Sequence, residues 1–240
     1  MKPRNPLLRG AAVATDQPRG AGGVVRPARA STEPISELTT NRLSVYLRCL
    51  TALEAAGVRS ISSRALAERF DLNAAQIRKD LAHFGEFGTR GVGYQVRALR
   101  THLHKILGLD RAMRVAIMGA GNLGLALADY AGFRDDGFQV VALFDTNGDK
   151  IGRRSRTGVP IFDIGQLKPL VRRERVSIAV VAVPADAAQE VVDSVVAAGV
   201  RAILNFSAGA LRVPRSVKLK SVDLTVSLES LSFHLARADE

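Results

Sequence analysis

The sequence is poor in the residue types that build covalent or metal-held scaffolds. It has one cysteine, Cys49, and no tryptophan, and aromatic residues make up 5% of its 240 residues. A single thiol excludes an intrachain disulfide framework and a cysteine-rich metal site. Because Cys49 stands between Leu47 and Leu50, we expect it to be a buried apolar side chain. Folding must therefore depend on aliphatic cores, for which a hydrophobic content of 47% is sufficient.

Long apolar runs are also missing. No run approaches the roughly 18–20 residues that span a bilayer. The first residues lack the apolar core, roughly 7–15 residues long, of a signal peptide. These absences argue against insertion of the chain into a membrane and predict a cytoplasmic protein.

Acidic residues are in deficit, with 34 Lys and Arg against 23 Asp and Glu and a net charge of +11. Residues 1–38 read as a disordered basic tail with a net charge of +3. Residues 39–110 hold eleven basic and six acidic side chains, a net of +5, and residues 111–240 hold seventeen and fourteen, a net of +3. The first folded stretch is thus the more basic one, which favours a nucleic acid or an acidic membrane surface as partner. A merely solvated basic surface would give the same totals.

Residues 39–110 show helical periodicity in a recognisable order. Leucines spaced near 3.6 residues predict a first helix over residues 40–56. A second helix follows the Ser62-Ser63 cap, and a three-residue turn leads to a third helix over residues 74–83. Glycines interleaved with apolar residues then predict a short β-hairpin, followed by a helix over residues 96–107. This order is typical of a winged helix-turn-helix domain.

The third helix is the candidate recognition helix. Asn73 can cap it, Gln76 can reach back as in a capping box, and Ile77 and Leu81 point to the core. In this fold the first residues of that helix meet base edges in the major groove, where Arg suits guanine and Gln suits adenine. The candidate DNA-binding residues are Ser62, Ser63, Gln76, Arg78, Lys79 and His83, with Arg90 at the hairpin tip as a minor-groove wing.

Residues 111–221 alternate strands with helices, as in a doubly wound α/β sheet. We predict strands over residues 114–118, 138–144, 178–183 and 202–205. A glycine fingerprint follows the first strand and opens a helix that is expected to run to about Ala131. This context makes such a motif specific for a dinucleotide. The candidate cofactor-binding residues are Gly119, Ala120, Gly121, Asn122, Leu123, Gly124, Tyr130, Asp145, Val183 and Pro184.

Asp145 ends the second strand of this stretch, 21 positions after Gly124. Its carboxylate would bind the adenosine ribose and repel a 2′-phosphate, which favours NAD⁺ and NADH over their phosphorylated forms. Arg153, Arg154 and Arg156 follow closely and leave NADP open.

Several runs together resemble the Rex family of bacterial redox-sensing repressors. The resemblance covers about residues 40–236 and lies in the runs at residues 62–67, 76–81, 84–88, 90–94, 119–124, 128–130, 205–206, 222–224 and 231–233. It implies a homodimeric repressor of near-palindromic operator DNA, with an N-terminal winged helix and a C-terminal Rossmann domain. It also implies that NAD⁺ permits DNA binding, that NADH releases the operator, and that a last helix within residues 222–240 is swapped onto the partner.

The resemblance extends to three switch residues. Tyr130 matches a tyrosine that lies near the nicotinamide, and Arg48 and Asp223 match an Arg–Asp pair that forms or breaks with the redox state. The swapped helix has support of its own in Leu224, Leu228, Leu231 and Leu235, with Val226 and Phe233 off that stripe. A helix that closes its own Rossmann domain is the alternative.

Two other function classes stay open. An NAD-dependent dehydrogenase would need an acid–base residue and a substrate domain, yet only some 35 residues follow the last predicted strand. A CoA- or nucleotide-binding module would share the sheet but would need no Asp145, and it would not explain the winged helix.

Overall fold

A computed structural model describes residues 35–89 and 91–238 of the chain. Most of the expected tail and the wing residue Arg90 lie outside these residues. The chain divides into two compact units, the first ending at Asp110 and the second beginning at Arg111. In the described part of the chain, no helix has the length and apolar character required to cross a membrane.

The first unit is a helical domain with a small antiparallel sheet. Its elements are α1 (Glu37–Ala55), β1 (Ser60–Ile61), α2 (Ser63–Phe70), α3 (Ala74–Ala82), β2 (Tyr94–Gln95) and α4 (Val96–Ile106). Helix α1 begins at Glu37, within the stretch expected to be tail. It begins there because the Ser36 side chain caps it, accepting a hydrogen bond from the Thr39 N–H. The apolar faces of the four helices enclose one core that includes Leu50, and Cys49 is buried in it as expected.

Local signals around α2 and α3 are confirmed in part. Ser62 caps α2 through the Ala65 N–H, and Asn73 caps α3 through the Gln76 N–H. The expected capping box is wrong, because the Gln76 side chain donates to Asp80, one turn further along α3. Ile77 and Leu81 are buried as predicted.

The wing differs from a regular hairpin. β2 pairs with β1, which precedes α2, and in the described part of the segment between α3 and β2 an isolated bridge joins Thr89 to Gly93. The glycines at positions 85, 88, 91 and 93 all have positive φ angles, so the backbone is irregular where the strands of a hairpin were expected. At Gly93 a side chain would collide with the Ile61 carbonyl, so the tight turn requires glycine there.

The second unit is a six-stranded parallel sheet with helices. Its elements are β3 (Met113–Met118), α5 (Asn122–Ala128), α6 (Ala131–Asp135), β4 (Phe138–Asp145), β5 (Ile161–Asp163), the 3₁₀ helix η1 (Ile164–Gln166), α7 (Leu167–Arg173), β6 (Ile178–Val181), α8 (Ala185–Ala197), β7 (Ala202–Asn205), β8 (Lys218–Ser221) and α9 (Leu224–Ala238). The strand order β5-β4-β3-β6-β7-β8 is that of a dinucleotide-binding Rossmann fold. The sheet is covered on both faces, since Ala116 and Met118 belong to one core cluster while Val115 and Ile117 belong to another.

Several features of this unit differ from the prediction. β5 and α7 are short, and β8 is a polar edge strand with the sequence Lys-Leu-Lys-Ser, so their apolar signal is weak. The helix expected to run to about Ala131 breaks at Asp129, and Tyr130 caps a separate helix, α6. The strand expected over residues 178–183 ends at Val181.

Helix α9 leaves its apolar side chains uncovered. Leu224, Leu228, Leu231 and Leu235 are between 59% and 69% exposed, and Val226 and Phe233 on the opposite side are 59% and 57% exposed. A helix with uncovered apolar groups on two sides lacks the packing that normally stabilises it.

Candidate dinucleotide and nucleic-acid sites

The fingerprint lies where three neighbouring strands end. Met118 is paired with Phe144 on β4 and with Val181 on β6, so the residues that follow these strands share one edge of the sheet. Gly119, Asp145 and the Val183-Pro184 pair therefore meet at the carboxyl edge, which is where Rossmann folds bind their ligands.

Two glycines make this edge a narrow turn. Gly119 has a φ of +99°, and a Cβ there would overlap the carbonyl of Ala182 beyond β6. A Cβ on Gly124 would overlap the carbonyl of Gly119 itself, so α5 can begin this close to β3 only without a side chain. At Gly121, by contrast, a Cβ would meet open space. The backbone at Gly121 is thus open to a ligand, as the close approach of a pyrophosphate requires.

Asp145 holds the turn from the neighbouring strand. Its carboxylate accepts hydrogen bonds of 2.9 Å from the N–H groups of Ala120 and Asn147 and forms a 3.0 Å ion pair with Lys150. Burial alone would raise the pKa of Asp145, but these donors outweigh it and lower the pKa, so the group is ionised. A carboxylate has about four acceptor positions, which leaves one for a ribose hydroxyl. Lys150 was not singled out by sequence reasoning.

Tyr130 lies apart from the fingerprint within one chain. It follows α5 at the end opposite the glycine turn, about 10 Å along the helix axis at 1.5 Å per residue. It lines an open hollow of about 650 Å³ with Leu125, Asp129 and Arg156, and none of residues 119–124 lines that hollow. Tyr130 is 60% exposed, and its ring meets Phe133 edge-on. A Cβ on Gly132 would collide with it, so the glycine after the helix break permits this ring position.

Asp129 ties the helix break to the turn before β5. Its carboxylate accepts hydrogen bonds from both hydroxyls of Ser155 and Thr157, at 2.7 Å each, and from the backbone N–H groups of Thr157 and Arg156. Burial alone would raise the pKa of Asp129, but the donors lower it from 3.8 to about 2. Asp129 stands in one of the runs that carry the family resemblance, but the sequence predicted no contact for it, because its donors stand 26 to 28 positions away.

The predicted DNA-binding residues cluster at the start of α2 and along α3. Arg78 donates a 3.0 Å hydrogen bond to the Ser63 hydroxyl, which joins the two helices at their exposed side. Lys79 is exposed, Ser62 is exposed at the α2 cap, and the His83 ring meets Phe84 edge-on. The structure therefore presents these side chains on one pair of helices.

A buried acid, Asp80, lies under this surface. Arg42 of α1 binds it with two hydrogen bonds of 2.6 and 2.8 Å, and the Tyr46 hydroxyl donates a third of 2.9 Å. Gln76 donates a fourth, of 2.7 Å. The pKa of Asp80 is lowered, because the donors outweigh the opposing effect of burial, and burial raises the pKa of Tyr46. Helix α1 is thereby fixed to the candidate recognition helix.

The remaining switch candidates are both exposed. Arg48 lies on the outer side of α1, and Asp223 precedes α9, where it accepts a hydrogen bond from the Thr225 N–H. Sequence reasoning assigned no structural role to Asn205, which is fully buried and holds the turn after β7 through the N–H and carbonyl of Ser207.

A winged helix-turn-helix joined to a Rossmann unit defines a class of proteins, the ligand-responsive transcription regulators. Two family comparisons agree with that division: residues 34–82 match a putative DNA-binding protein N-terminus, and residues 110–209 match a CoA-binding domain. The second match covers the Rossmann unit through β7 and ends before β8.

Comparisons over most of the chain identify the family. A redox-sensing transcriptional repressor Rex of Desulfitobacterium hafniense is 47% identical over 201 residues, which is 84% of this chain and 95% of the relative. The crystal structure of RSP in complex with β-NAD⁺ and operator DNA matches with a TM-score of 0.82 and 39% identity, covering 87% of this chain and 95% of RSP. RSP in complex with β-NADH matches with a TM-score of 0.77 and 38% identity, covering 87% and 97%. The chain belongs to the Rex family of redox-sensing transcriptional repressors, and the resemblance noted in the sequence is confirmed.

Asp129 should make the free energy of unfolding of the second unit depend on pH. A group whose pKa is lowered by folding stabilises the protein above its ordinary pKa, and this contribution is lost as the pH falls from about 4 to about 2. We expect Asp129→Asn to reduce the free energy of unfolding at pH 7 by on the order of 2 kcal/mol, with the deficit shrinking toward pH 2. Urea denaturation between pH 2.5 and 7 measures the difference.

The matched control is Asp135→Asn in α6, where the side chain is exposed. It should leave the free energy of unfolding within about 0.5 kcal/mol of the unsubstituted protein. A deficit for Asp129→Asn that is constant over the whole pH range would contradict the charge-based account.

Proposed function

We propose that this protein is a dimeric repressor that binds operator DNA through its first unit and reads NAD⁺ and NADH through its second. The observation that carries the proposal is the likeness of nearly the whole chain to RSP, which was crystallised with β-NAD⁺ and operator DNA and with β-NADH. The relatives are repressors, and we assign this chain a regulatory role in place of an enzymatic one. Because an operator is part of the chromosome, we infer that the protein works in the cytoplasm.

In the first unit, α3 is the helix that enters the major groove. Arg78 and Gln76 read base edges, while Lys79 and His83 contact the backbone or neighbouring bases. Ser62 and Ser63 at the start of α2 bind phosphate, and Arg90 reaches the minor groove from the wing. The basic excess of this unit supplies the sequence-independent part of the affinity.

In the second unit, the fingerprint turn binds the dinucleotide. The residues fit the group, because Gly119 and Gly124 admit the tight turn and the space above Gly121 is open. Ala120, Asn122 and Leu123 complete the turn that faces the pyrophosphate, Asp145 accepts a bond from the adenosine ribose, and Val183 and Pro184 border the nicotinamide half. When bound, the oxidised nicotinamide brings a positive charge that the reduced one lacks.

The two units of two chains are coupled by α9. Its apolar groups are uncovered on two sides, and insertion into a partner would cover both. An exchange of this kind is reciprocal and produces a two-fold axis, which matches a near-palindromic operator. Tyr130 senses the redox state of the nicotinamide. The ion pair between Arg48 and Asp223 forms or breaks with that state and so couples it to α1.

NADH should release the operator, and NAD⁺ should not. A ligand shifts an equilibrium only by its differential affinity for the two states, so the difference must come from groups near the nicotinamide. We therefore expect Tyr130→Phe to weaken the difference between NADH and NAD⁺ while leaving dinucleotide affinity largely intact. Fluorescence anisotropy of labelled operator DNA, titrated with each dinucleotide, measures release, and calorimetry measures binding. Unchanged DNA binding at saturating NADH would remove the sensor role.

Asp145 should set the preference for NADH over NADPH. Its carboxylate repels a 2′-phosphate, and it also neutralises Lys150. Asp145→Ala should narrow the preference for NADH over NADPH, because it removes the repulsion of the 2′-phosphate and leaves the Lys150 ammonium group free to attract it. The double variant Asp145→Ala/Lys150→Ala is the control and should gain less NADPH affinity. Equal binding of NADH and NADPH by the unsubstituted protein in calorimetry would show that the assignment of Asp145 is wrong.

Removal of α9 should abolish assembly. A chain ending at Ser221 keeps all six strands of the parallel sheet and the fingerprint turn. We expect it to be monomeric in light scattering and to lose operator binding, while its thermal unfolding stays cooperative. A truncated chain that stays dimeric and still releases DNA with NADH would rule out the swapped helix and favour a helix that closes its own subunit.

A further inference from the structure

Asp80 and Gln76 lie one turn apart on α3, with the acid beneath the surface proposed to meet DNA. Asp80 is 3% exposed, whereas Gln76 is partly exposed. The Gln76 Nε2 donates a 2.7 Å hydrogen bond to the Asp80 Oδ1. A side chain proposed to read a base is therefore already held by a buried partner.

The chemistry of Asp80 decides which way the Gln76 amide faces. Arg42 binds both carboxylate oxygens, at 2.6 and 2.8 Å. This ion pair keeps Asp80 ionised and neutralises its charge. An ionised carboxylate is only an acceptor, so only the amino branch of the amide can face it. The carbonyl oxygen Oε1 must therefore point away from Asp80. The opposite orientation, with Oε1 toward Asp80, would place two hydrogen-bond acceptors against each other.

This orientation matters because adenine and guanine differ at one position of the major-groove edge. Adenine carries an amino donor at position 6, and guanine carries a carbonyl acceptor there, while both have an acceptor at N7. An amide held in one orientation matches adenine, with Oε1 accepting from the amino group and Nε2 donating to N7. An amide free to turn over can instead donate to the guanine oxygen.

We propose that Asp80 is a positioning residue for DNA recognition, which fixes the amide of Gln76 so that it accepts adenine and disfavours guanine. The proposal rests on the proposed DNA-binding function and adds to it a source of base specificity that does not touch DNA. Arg42 and Tyr46 hold the carboxylate from α1, so the orientation is built into the packing of α1 on α3.

The experiment compares base preference in variants of the full-length protein. The operator is the double-stranded DNA that the unsubstituted protein selects from a random pool. In a series of operator variants, each A·T pair is changed in turn to G·C. Fluorescence anisotropy then measures the affinity of the protein for each variant. We expect one position at which Gln76→Ala loses a discrimination of about tenfold. Asp80→Asn presents either a donor or an acceptor to Gln76, and it should reduce the discrimination at that same position to about two- or threefold. The other positions should keep theirs.

Arg42→Lys is the matched control. It replaces the two-point contact with Asp80 by a single ammonium but keeps the carboxylate that faces Gln76, so discrimination should persist. If Asp80→Asn fails to fold in thermal unfolding, Arg42→Gln/Asp80→Asn removes both charges together and takes its place.

Three results would overturn the inference while leaving the proposed function intact. Full discrimination in the Asp80 variant, or an equal loss at every position, would indicate a purely structural acid. The third is the absence of any position at which Gln76→Ala changes base preference. If the unsubstituted protein selects no sequence from the pool, the proposed DNA-binding function itself fails.

Discussion

Helix α5 begins so close to the end of β3 that the backbone of Gly124 rests against the carbonyl of Gly119, with no room for a side chain between them. This contact is what brings the parts of the second unit together. Because the turn is so tight, its next N–H, that of Ala120, comes within reach of Asp145 on β4, and Gly119 itself lies against the carbonyl of Ala182 beyond β6. Three strand ends are thereby fixed around one backbone bend at the carboxyl edge of the sheet.

Two carboxylates, the buried one of Asp80 and the partly buried one of Asp129, serve the two units in the same way. Asp80 joins α1 to α3, and Asp129 joins the break between α5 and α6 to the turn around Thr157. Each accepts at least four hydrogen bonds, each is ionised, and each connects segments far apart in sequence. Such a group is costly to bury unless every acceptor position is used, so these sites permit little variation in geometry. That rigidity suits regions beside the candidate recognition helix and beside Tyr130.

The features that sequence reasoning predicted are those governed by neighbours along the chain. The fingerprint between β3 and α5, the cap at Asn73 and the apolar position of Cys49 each depend on a few adjacent residues. What it missed depends on distant partners or on weak apolar signals. The Gln76 side chain turned to Asp80 because Arg42 holds an ionised acceptor there, and α5 ended early because Asp129 was drawn to the turn before β5. The edge strand β8 carries two lysines in four residues and has no periodicity to reveal it.

The bare helix α9 also bears on the fate of newly made chains. A chain that has not met a second copy carries six large apolar side chains in the open on one short segment. Patches of this kind are bound by chaperones and attract degradation, whereas a covered helix escapes both. Orphan copies would then be cleared faster than assembled ones, and the amount of working regulator would rise more steeply than its rate of synthesis. In the proposed dimer, quality control of the regulator would thus depend on the same segment that joins its subunits.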